Sequence, residues 1–115
     1  RIYVAELDGA VIGMVVVSNE WSEWRGGIVY WLTSLYVEAA HRRKGVLSSL
    51  YAFAKSQVQR EPNAVGIRMQ VRKHNAAGLA VAKSLGMTEE PYYLMRWVDP
   101  AGAVVSRESG IRSQL

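Results

Sequence analysis

Two short apolar runs open the chain. Residues 2–7 (IYVAEL) and 11–18 (VIGMVVVS) are rich in β-branched side chains, and Asp8, Gly9 and Ala10 stand between them. Apolar runs joined by a short Asp-Gly segment are typical of a β-hairpin. The pattern therefore predicts two antiparallel strands at the start of the chain.

The middle of the chain changes from strand-like to helix-like spacing. Residues 19–26 are polar and predict a loop, whereas residues 28–37 (IVYWLTSLYV) are apolar on both faces, as in a central strand covered on both sides. From Gly45 to about Arg60, apolar residues recur every three or four positions, and this spacing predicts an amphipathic helix.

The second half of the chain repeats a strand, a helix and a strand. Residues 66–72 (GIRMQVR) alternate between apolar and polar, which predicts a fourth strand. Asn75 predicts the start of a short helix through Leu85, and Gly86 is placed to end it in a left-handed conformation. Residues 92–98 (YYLMRWV) predict a last strand. Residues 1–98 thus form one α/β domain, followed by a tail, 99–115, of undetermined structure.

Composition limits the function classes. The 115 residues suffice for one domain, and a net charge of +4 favours anionic ligands. There are no cysteines, so disulfides and thiolate metal sites are excluded and a cytoplasmic location is expected. No apolar stretch approaches the roughly 20 residues of a membrane span. Because Arg1 falls inside a predicted strand without an initiator methionine, we expect an upstream segment.

A basic loop precedes the first predicted helix. Arg42, Arg43 and Lys44 come directly before Gly45, where unpaired helix amides and the helix dipole favour an anion. A glycine lets the backbone approach a phosphate closely, so a diphosphate fits this junction better than one carboxylate. The alternative is a solvated basic loop beside an ordinary helix start.

Two motifs resemble one known family. "RRKGVL", Arg42 to Leu47, looks like the RxxGxG/A signature of the GNAT superfamily of N-acetyltransferases, and it follows an "LYV" strand as that motif does. "NAAGLAVAKSLGM", Asn75 to Met87, is similar to the later helix of the family, which an asparagine opens and a Gly-Phe pair closes. The resemblance implies a GNAT-like acyl-CoA N-acyltransferase fold. This is a mixed, mostly antiparallel sheet flanked by helices, with its N-terminal part missing from the chain.

The resemblance also implies an acetyl-CoA site. In the family, amides around the first motif hold the CoA diphosphate, and the preceding strand bends away from its neighbour so that the pantetheine arm enters the gap. Asn75 would contact the pantetheine or thiol region, which is compatible with a helix-cap role. The cofactor-binding positions implied in this chain are Leu35, Val37, Arg42, Arg43, Lys44, Gly45, Val46, Leu47, Ser48 and Asn75.

The chain departs from the family pattern at positions that carry the catalytic groups. The family often has a tyrosine seven residues after the asparagine as the donor of a proton to the thiolate, but this chain has Ala82. A positioned acid is typically worth about 10²- to 10⁴-fold in rate. The central strand also lacks the carboxylate that serves several family members as a base, and Leu47 replaces Gly or Ala.

Substitute catalytic groups are few. Tyr92 and Tyr93 lie in the predicted last strand, where alternation would turn only one inward, and core packing is their other interpretation. Ser34, or the neighbouring Thr33, would order a water at the site. Glu20, Glu23 and Glu38 are read as solvated charges. Trp21, Trp24 and Trp31 would line an acceptor pocket or pack at its rim. His41 and His74 have no metal-ligand spacing, so no metal site is expected.

The sequence therefore predicts an N-acetyltransferase that moves an acetyl group from acetyl-CoA to an amine by direct attack on the thioester. The alternative is a non-catalytic acyl-CoA-binding or regulatory domain, which the departures at Ala82 and on the central strand favour. A nucleic-acid binder is a third class, but no aromatic platform is interleaved with the basic residues. The expected partners are acetyl-CoA and an amine, with no nucleic acid or membrane, and a homodimer is possible.

Overall fold

The computed structural model of the chain describes residues 1–101. Residues 102–115, which are most of the predicted tail, lie outside the described residues. In chain order, the elements are β1 (Ile2–Leu7), β2 (Ala10–Ser22), β3 (Gly27–Val37), α1 (Val46–Gln59), β4 (Ala64–Met69) and α2 (Ala76–Ser84), with a 3₁₀ turn at Ala39–His41.

The four strands form one sheet in the order β1-β2-β3-β4. β1 pairs antiparallel with β2, and β2 pairs antiparallel with β3. β4 pairs parallel with β3, because the chain crosses over through α1 before it returns to the sheet. The predicted mixed, mostly antiparallel sheet flanked by helices is therefore confirmed.

The first hairpin closes through two residues. Asp8 and Gly9 have φ angles of 52° and 82°, and Leu7 pairs directly with Ala10. Two consecutive positive φ angles define a type I′ turn, whose twist matches that of the flanking strands and which Asp-Gly favours. The predicted hairpin is confirmed, with a turn one residue shorter than expected.

α1 covers one face of the sheet. Its buried residues, Leu50, Tyr51, Ala54 and Val58, pack against strand residues that point to this face, among them Val15, Tyr30 and Leu32. Gly13 lets the first turns of α1 approach β2, since a Cβ built there would lie 3.1 Å from Leu50 Cδ1 and 3.0 Å from the Tyr36 carbonyl oxygen. The helix is therefore held close to the end of β3.

α2 has a defined cap at each end. The Asn75 side chain accepts a 2.8 Å hydrogen bond from the amide of Gly78. At the other end, Gly86 has φ 88°, and the amides of Gly86 and Met87 donate to the carbonyls of Lys83 and Ala82. These two bonds define a Schellman motif. Both predicted ends of this helix are confirmed.

Three predicted elements differ from the structure. The predicted fourth strand, 66–72, is displaced, because β4 spans Ala64–Met69 and residues 70–72 lie outside it. The predicted loop 19–26 is wrong in its first half, because β2 continues to Ser22 by pairing with the start of β3 and only residues 23–26 form the turn. The predicted last strand at 92–98 is also wrong, since these residues form no ladder and their side chains are exposed. Strand-like composition alone does not supply a partner strand.

Coverage of β3 is also less complete than predicted. On the face opposite α1, Val29 is buried but Tyr36 is half exposed. The prediction of a strand covered on both sides therefore holds only near the start of β3. No helix in residues 1–101 is long and apolar enough to cross a membrane.

The core position of Leu50 generates a stability prediction. Leu50 is 3% exposed and Leu7 is 49% exposed, so the same truncation removes a buried side chain in one case and a half-exposed one in the other. We expect Leu50→Ala to lower the free energy of unfolding by about 2–5 kcal/mol. Leu7→Ala should lower it by less than half as much. Urea unfolding followed by circular dichroism measures both, and equal losses would contradict this assignment of the core.

The N-cap of α2 generates a second prediction. Asn75→Ala removes the acceptor for the Gly78 amide and should lower the free energy of unfolding by about 1 kcal/mol. Asn75→Asp keeps an acceptor and adds a negative charge at the positive end of the helix, so stability should be retained. The same urea experiment separates the two variants. Equal stability of Asn75→Ala and the parent chain would show that the cap bond contributes nothing.

Candidate functional site

A β-bulge in β3 opens a gap in the sheet. Val16 pairs with Ser34 and Val17 pairs with Leu32, so Thr33 is an extra residue on β3. The Thr33 hydroxyl donates a 3.4 Å hydrogen bond to the Val16 carbonyl. Bulges bend the strand that contains them, and the parallel pairing between β3 and β4 ends at Leu32 and Met69. Beyond this point, among residues 1–101, β3 pairs with β2 alone.

The second half of β3 turns main-chain groups toward this gap. The Glu38 amide donates to the Ile12 carbonyl at 2.8 Å, so residues 34, 36 and 38 form the hydrogen-bonded pairs with β2. The main-chain groups of Leu35 and Val37, which alternate with them, therefore point away from β2. These are the two positions to which the family resemblance assigns the pantetheine arm, and both lie at the open edge.

The first turn of α1 lies just after this edge. Gly45 is the N-cap residue, with φ 85° and ψ 2°, and its carbonyl accepts the first helical bond from the Ser49 amide at 3.0 Å. The amides of Val46, Leu47 and Ser48 precede that bond and have no partner within the helix. No acidic residue stands in the first turn, and a Cβ built at Gly45 meets no atom within 4 Å. The helix start is therefore open to an anion.

The basic residues of the loop have different environments. Arg42 Nε donates a 2.8 Å hydrogen bond to the Val37 carbonyl, and its guanidinium lies 5.7 Å from the centre of the Tyr36 ring. Arg42 thus ties the loop to the end of β3 and occupies one of the main-chain groups assigned to pantetheine. Arg43, with a positive φ of 63°, and Lys44 are exposed, and no ion pair within residues 1–101 includes either of them.

A cleft of about 920 Å³ opens where β3 and β4 separate. It is lined by Ser18 of β2, by residues 31–33 of β3, by residues 70–73 after β4, and by Leu94 and Arg96. The side chains of Ser18 and Trp31 belong to the face opposite α1, because their neighbours Val17 and Leu32 point into the core. The cleft therefore opens on the other side of the sheet from α1.

The candidate catalytic residues lie in different places. Ser34 and Thr33 are exposed at the bulge, and Thr33 lines the cleft. Tyr92 and Tyr93 are 73% and 86% exposed, so neither is turned inward as strand alternation would require. Asn75 uses its side-chain oxygen for the helix cap. Trp31 lines the cleft, whereas Trp24 is fully exposed.

The structure also brings together a group that the sequence did not indicate. Trp31 Nε1 donates to the Glu20 carboxylate, and the Arg68 guanidinium lies over the Trp31 ring at 5.7 Å from its centre. Arg68 Nε in turn contacts Glu90 Oε2 at 2.7 Å. Glu20 was read as a solvated charge, but cross-strand pairing places it beside Trp31. Only the register of β2 against β3 reveals this contact.

Metal ligands are not grouped in the part of the chain that the structure describes. Residues 1–101 contain no cluster of three or more histidine, aspartate or glutamate side chains placed to hold an ion.

Solved structures share this fold. A possible acetyltransferase from Clostridium difficile 630 is 32% identical, with a TM-score of 0.75, and the match covers 84% of this chain and 63% of that one. An aminoglycoside acetyltransferase from an uncultured soil metagenomic sample, solved with sisomicin, is 20% identical, with a TM-score of 0.71 and coverages of 84% and 62%. An Arabidopsis thaliana protein in complex with the bisubstrate analogue CoA-Ac-MVNAL is 20% identical, with a TM-score of 0.64 and coverages of 74% and 55%.

The chain thus spans less than two thirds of the length of each of these structures. No curated protein sequence matches it significantly. The model of the acetyltransferase (GNAT) family matches residues 1–87, a range that includes the bulged strand, the basic loop, α1 and α2. By this match and its agreement with the fold, the chain belongs to the GNAT family of acetyltransferases.

Proposed function

We propose that this domain binds acetyl-CoA and transfers the acetyl group to an amine by direct attack on the thioester. One observation carries the proposal: the open main-chain edge at Leu35 and Val37 leads directly to the uncovered first turn of α1 at Gly45. An open strand edge can pair with an arm that contains amides, and a helix N-terminus can bind a diphosphate. The proposal includes a cytoplasmic location.

Each part of the site has a role in this proposal. The amides of Val46, Leu47 and Ser48 donate to the diphosphate, and Gly45 leaves room for it. Arg43 and Lys44 add positive charge beside it, whereas Arg42 holds the loop against β3. The pantetheine amides pair with the main chain of Leu35 and with the Val37 amide, because Arg42 already occupies the Val37 carbonyl. Asn75 contacts the pantetheine or thiol region, and its side-chain oxygen also caps α2.

The chemistry requires an unprotonated amine. Its nitrogen forms a bond to the acetyl carbon, the carbon–sulfur bond breaks, and the thiolate takes a proton from solvent. A thiol has a pKa near 8.5 and is a good leaving group, so the reaction does not depend on a dedicated acid. Ser34 or Thr33 at the bulge would hold a water that accepts the amine proton. Tyr92 and Tyr93 act in this proposal only if the segment 92–98 moves toward the thioester.

A bound CoA derivative is known for one structure of the same fold. The Arabidopsis thaliana protein was solved with a bisubstrate analogue that joins CoA to an acetylated peptide. At 20% identity this likeness shows the fold alone, but it supports CoA as the ligand to test first.

A second candidate function is acyl-CoA binding without turnover. Ala82 is buried and stands where the family often has its tyrosine, and the cleft lining contains no carboxylate within residues 1–101. Release of free CoA in the presence of an amine distinguishes the two candidates. An enzyme releases it in proportion to acetylated product, whereas a sensor binds acetyl-CoA and releases none.

Gly45 provides the test of the diphosphate site. Gly45→Asp places a carboxylate where the diphosphate should lie, and we expect at least about tenfold weaker acetyl-CoA binding by calorimetry, equivalent to about 1.4 kcal/mol. Gly9→Asp is the matched control, since Gly9 has φ 82° and also has no atom within 4 Å of a built Cβ. Both variants carry the same left-handed strain of about 1 kcal/mol. Equal acetyl-CoA affinity in both variants would contradict the assignment of the diphosphate to the N-terminus of this helix.

The two neighbouring arginines provide a paired prediction. Arg43→Gln should weaken acetyl-CoA binding by about two- to fivefold in low salt, and less in high salt, without a measurable change in unfolding free energy. Arg42→Gln should lower the unfolding free energy by about 1 kcal/mol, because the Val37 carbonyl loses its donor. Calorimetry and urea unfolding of both variants measure this division. The reverse pattern would mean that Arg43, not Arg42, is the structural residue.

A further inference from the structure

The cleft opposite α1 has a single sign of charge. Its charged lining residues are Arg72, Lys73 and Arg96, and no acidic side chain lines it within residues 1–101. Clefts lined by one sign of charge concentrate the field and attract ligands of the opposite sign. The three side chains are exposed, so solvent screens their mutual repulsion, but an anion that enters the cleft meets only positive charge.

Carboxylates on the same face of the sheet do not neutralise these cations. Glu90 pairs with Arg68, and Glu20 accepts the Trp31 indole hydrogen bond. Lys73 lies near the Tyr93 ring, at 6.0 Å from its centre. Ion pairs in the described part of the chain join Arg1 to Glu61 and Arg68 to Glu90, so neither Arg72 nor Arg96 belongs to one there. Both guanidinium groups are available to a ligand.

The donor's diphosphate does not explain this charge. Its proposed site is the N-terminus of α1, which packs on the other face of the sheet and has its own cations in Arg43 and Lys44. The pantetheine arm between that site and the cleft is uncharged. The 3′-phosphate of CoA lies beyond the diphosphate, on the side away from the pantetheine arm, so a negative group that meets Arg72 and Arg96 belongs to the second substrate.

We propose that the amine acceptor of this domain carries a carboxylate, which Arg72 and Arg96 bind in the cleft. This inference rests on the proposed acetyl transfer and specifies its acceptor. Arginine presents a planar pair of donors that matches a carboxylate, which fixes the orientation of the acceptor as well as its affinity. The acceptor amine then enters on the side of Thr33 and the bulge.

The net positive charge of the cleft, three cations against one bound carboxylate, favours loss of the amine proton. Positive charges near an amine lower its pKa, because they disfavour its protonated form. No carboxylate base lines the cleft in residues 1–101, so this effect would raise the unprotonated fraction of the bound amine without one. A polycationic acceptor, such as a polyamine, would meet repulsion from all three cations. The cleft therefore selects against such substrates.

Matched acceptor pairs test the proposal. Glycine, alanine and phenylalanine are each compared with their amides, which lack the carboxylate, and spermidine represents a polycation. Acetylation is measured as kcat/KM from release of CoA, and binding is measured by calorimetry on protein saturated with CoA. The double variant Arg72→Gln, Arg96→Gln is compared with Arg25→Gln, Arg60→Gln, which removes the same charge from exposed positions outside the cleft.

We expect the ratio of amino acid to amide, in kcat/KM or in affinity, to fall about 10- to 100-fold in the cleft variant and to stay unchanged in the control. Comparing ratios between variants cancels the intrinsic difference between the two amines. The affinity ratio alone supports the proposal if turnover is absent. A ratio that does not change, or a preference for spermidine, overturns this inference. If the protein still binds acetyl-CoA, that result leaves the proposed function intact. Failure to bind acetyl-CoA overturns both.

Discussion

The bulge at Thr33 is the feature on which the site depends. Before it, β3 pairs with strands on both sides and contributes Tyr30 and Leu32 to the core. After it, within residues 1–101, β3 pairs only with β2, and the main-chain groups of its other edge have no strand partner. One extra residue thus divides a single strand into a half with strands on both sides and a half with an open edge. A continuous ladder would satisfy the same groups internally and leave no place for an arm with amides.

The loop between β3 and α1 contains backbone conformations that residues other than glycine rarely adopt. Arg43 and Gly45 both have positive φ, and the loop between β3 and α1 reverses sharply because of them. Arg42 then fastens this loop to the Val37 carbonyl. This bond holds the first helical amides beside the open strand edge. Preorganisation of this kind lowers the entropy lost when a flexible ligand binds.

The sheet separates two regions of charge. On the α1 side, the positive groups are a helix terminus and two exposed side chains, which suit a phosphorylated ligand. On the opposite side, Arg72, Lys73 and Arg96 line a cleft. Arg68 pairs with Glu90 and lies over the Trp31 ring at 5.7 Å from its centre. Under the proposed assignment, acetyl-CoA and the amine acceptor enter from opposite faces of the sheet and do not compete for the same charges.

The amino-acid pattern is sufficient to predict the hairpin, both helices and their caps, the order of these elements and the family. These depend on local chemistry: Asp-Gly at a tight turn, Asn75 as a cap, and Gly45 and Gly86 where φ is positive. Tertiary structure alone decided what depends on pairing between distant residues. The bulge, the extension of β2 through Ser22 and the contact of Glu20 with Trp31 follow from strand register, and the segment 92–98 has strand-like composition but no partner. The cationic cleft is likewise lined by Arg72 and Arg96, which are far apart in the sequence, so no local pattern predicts it.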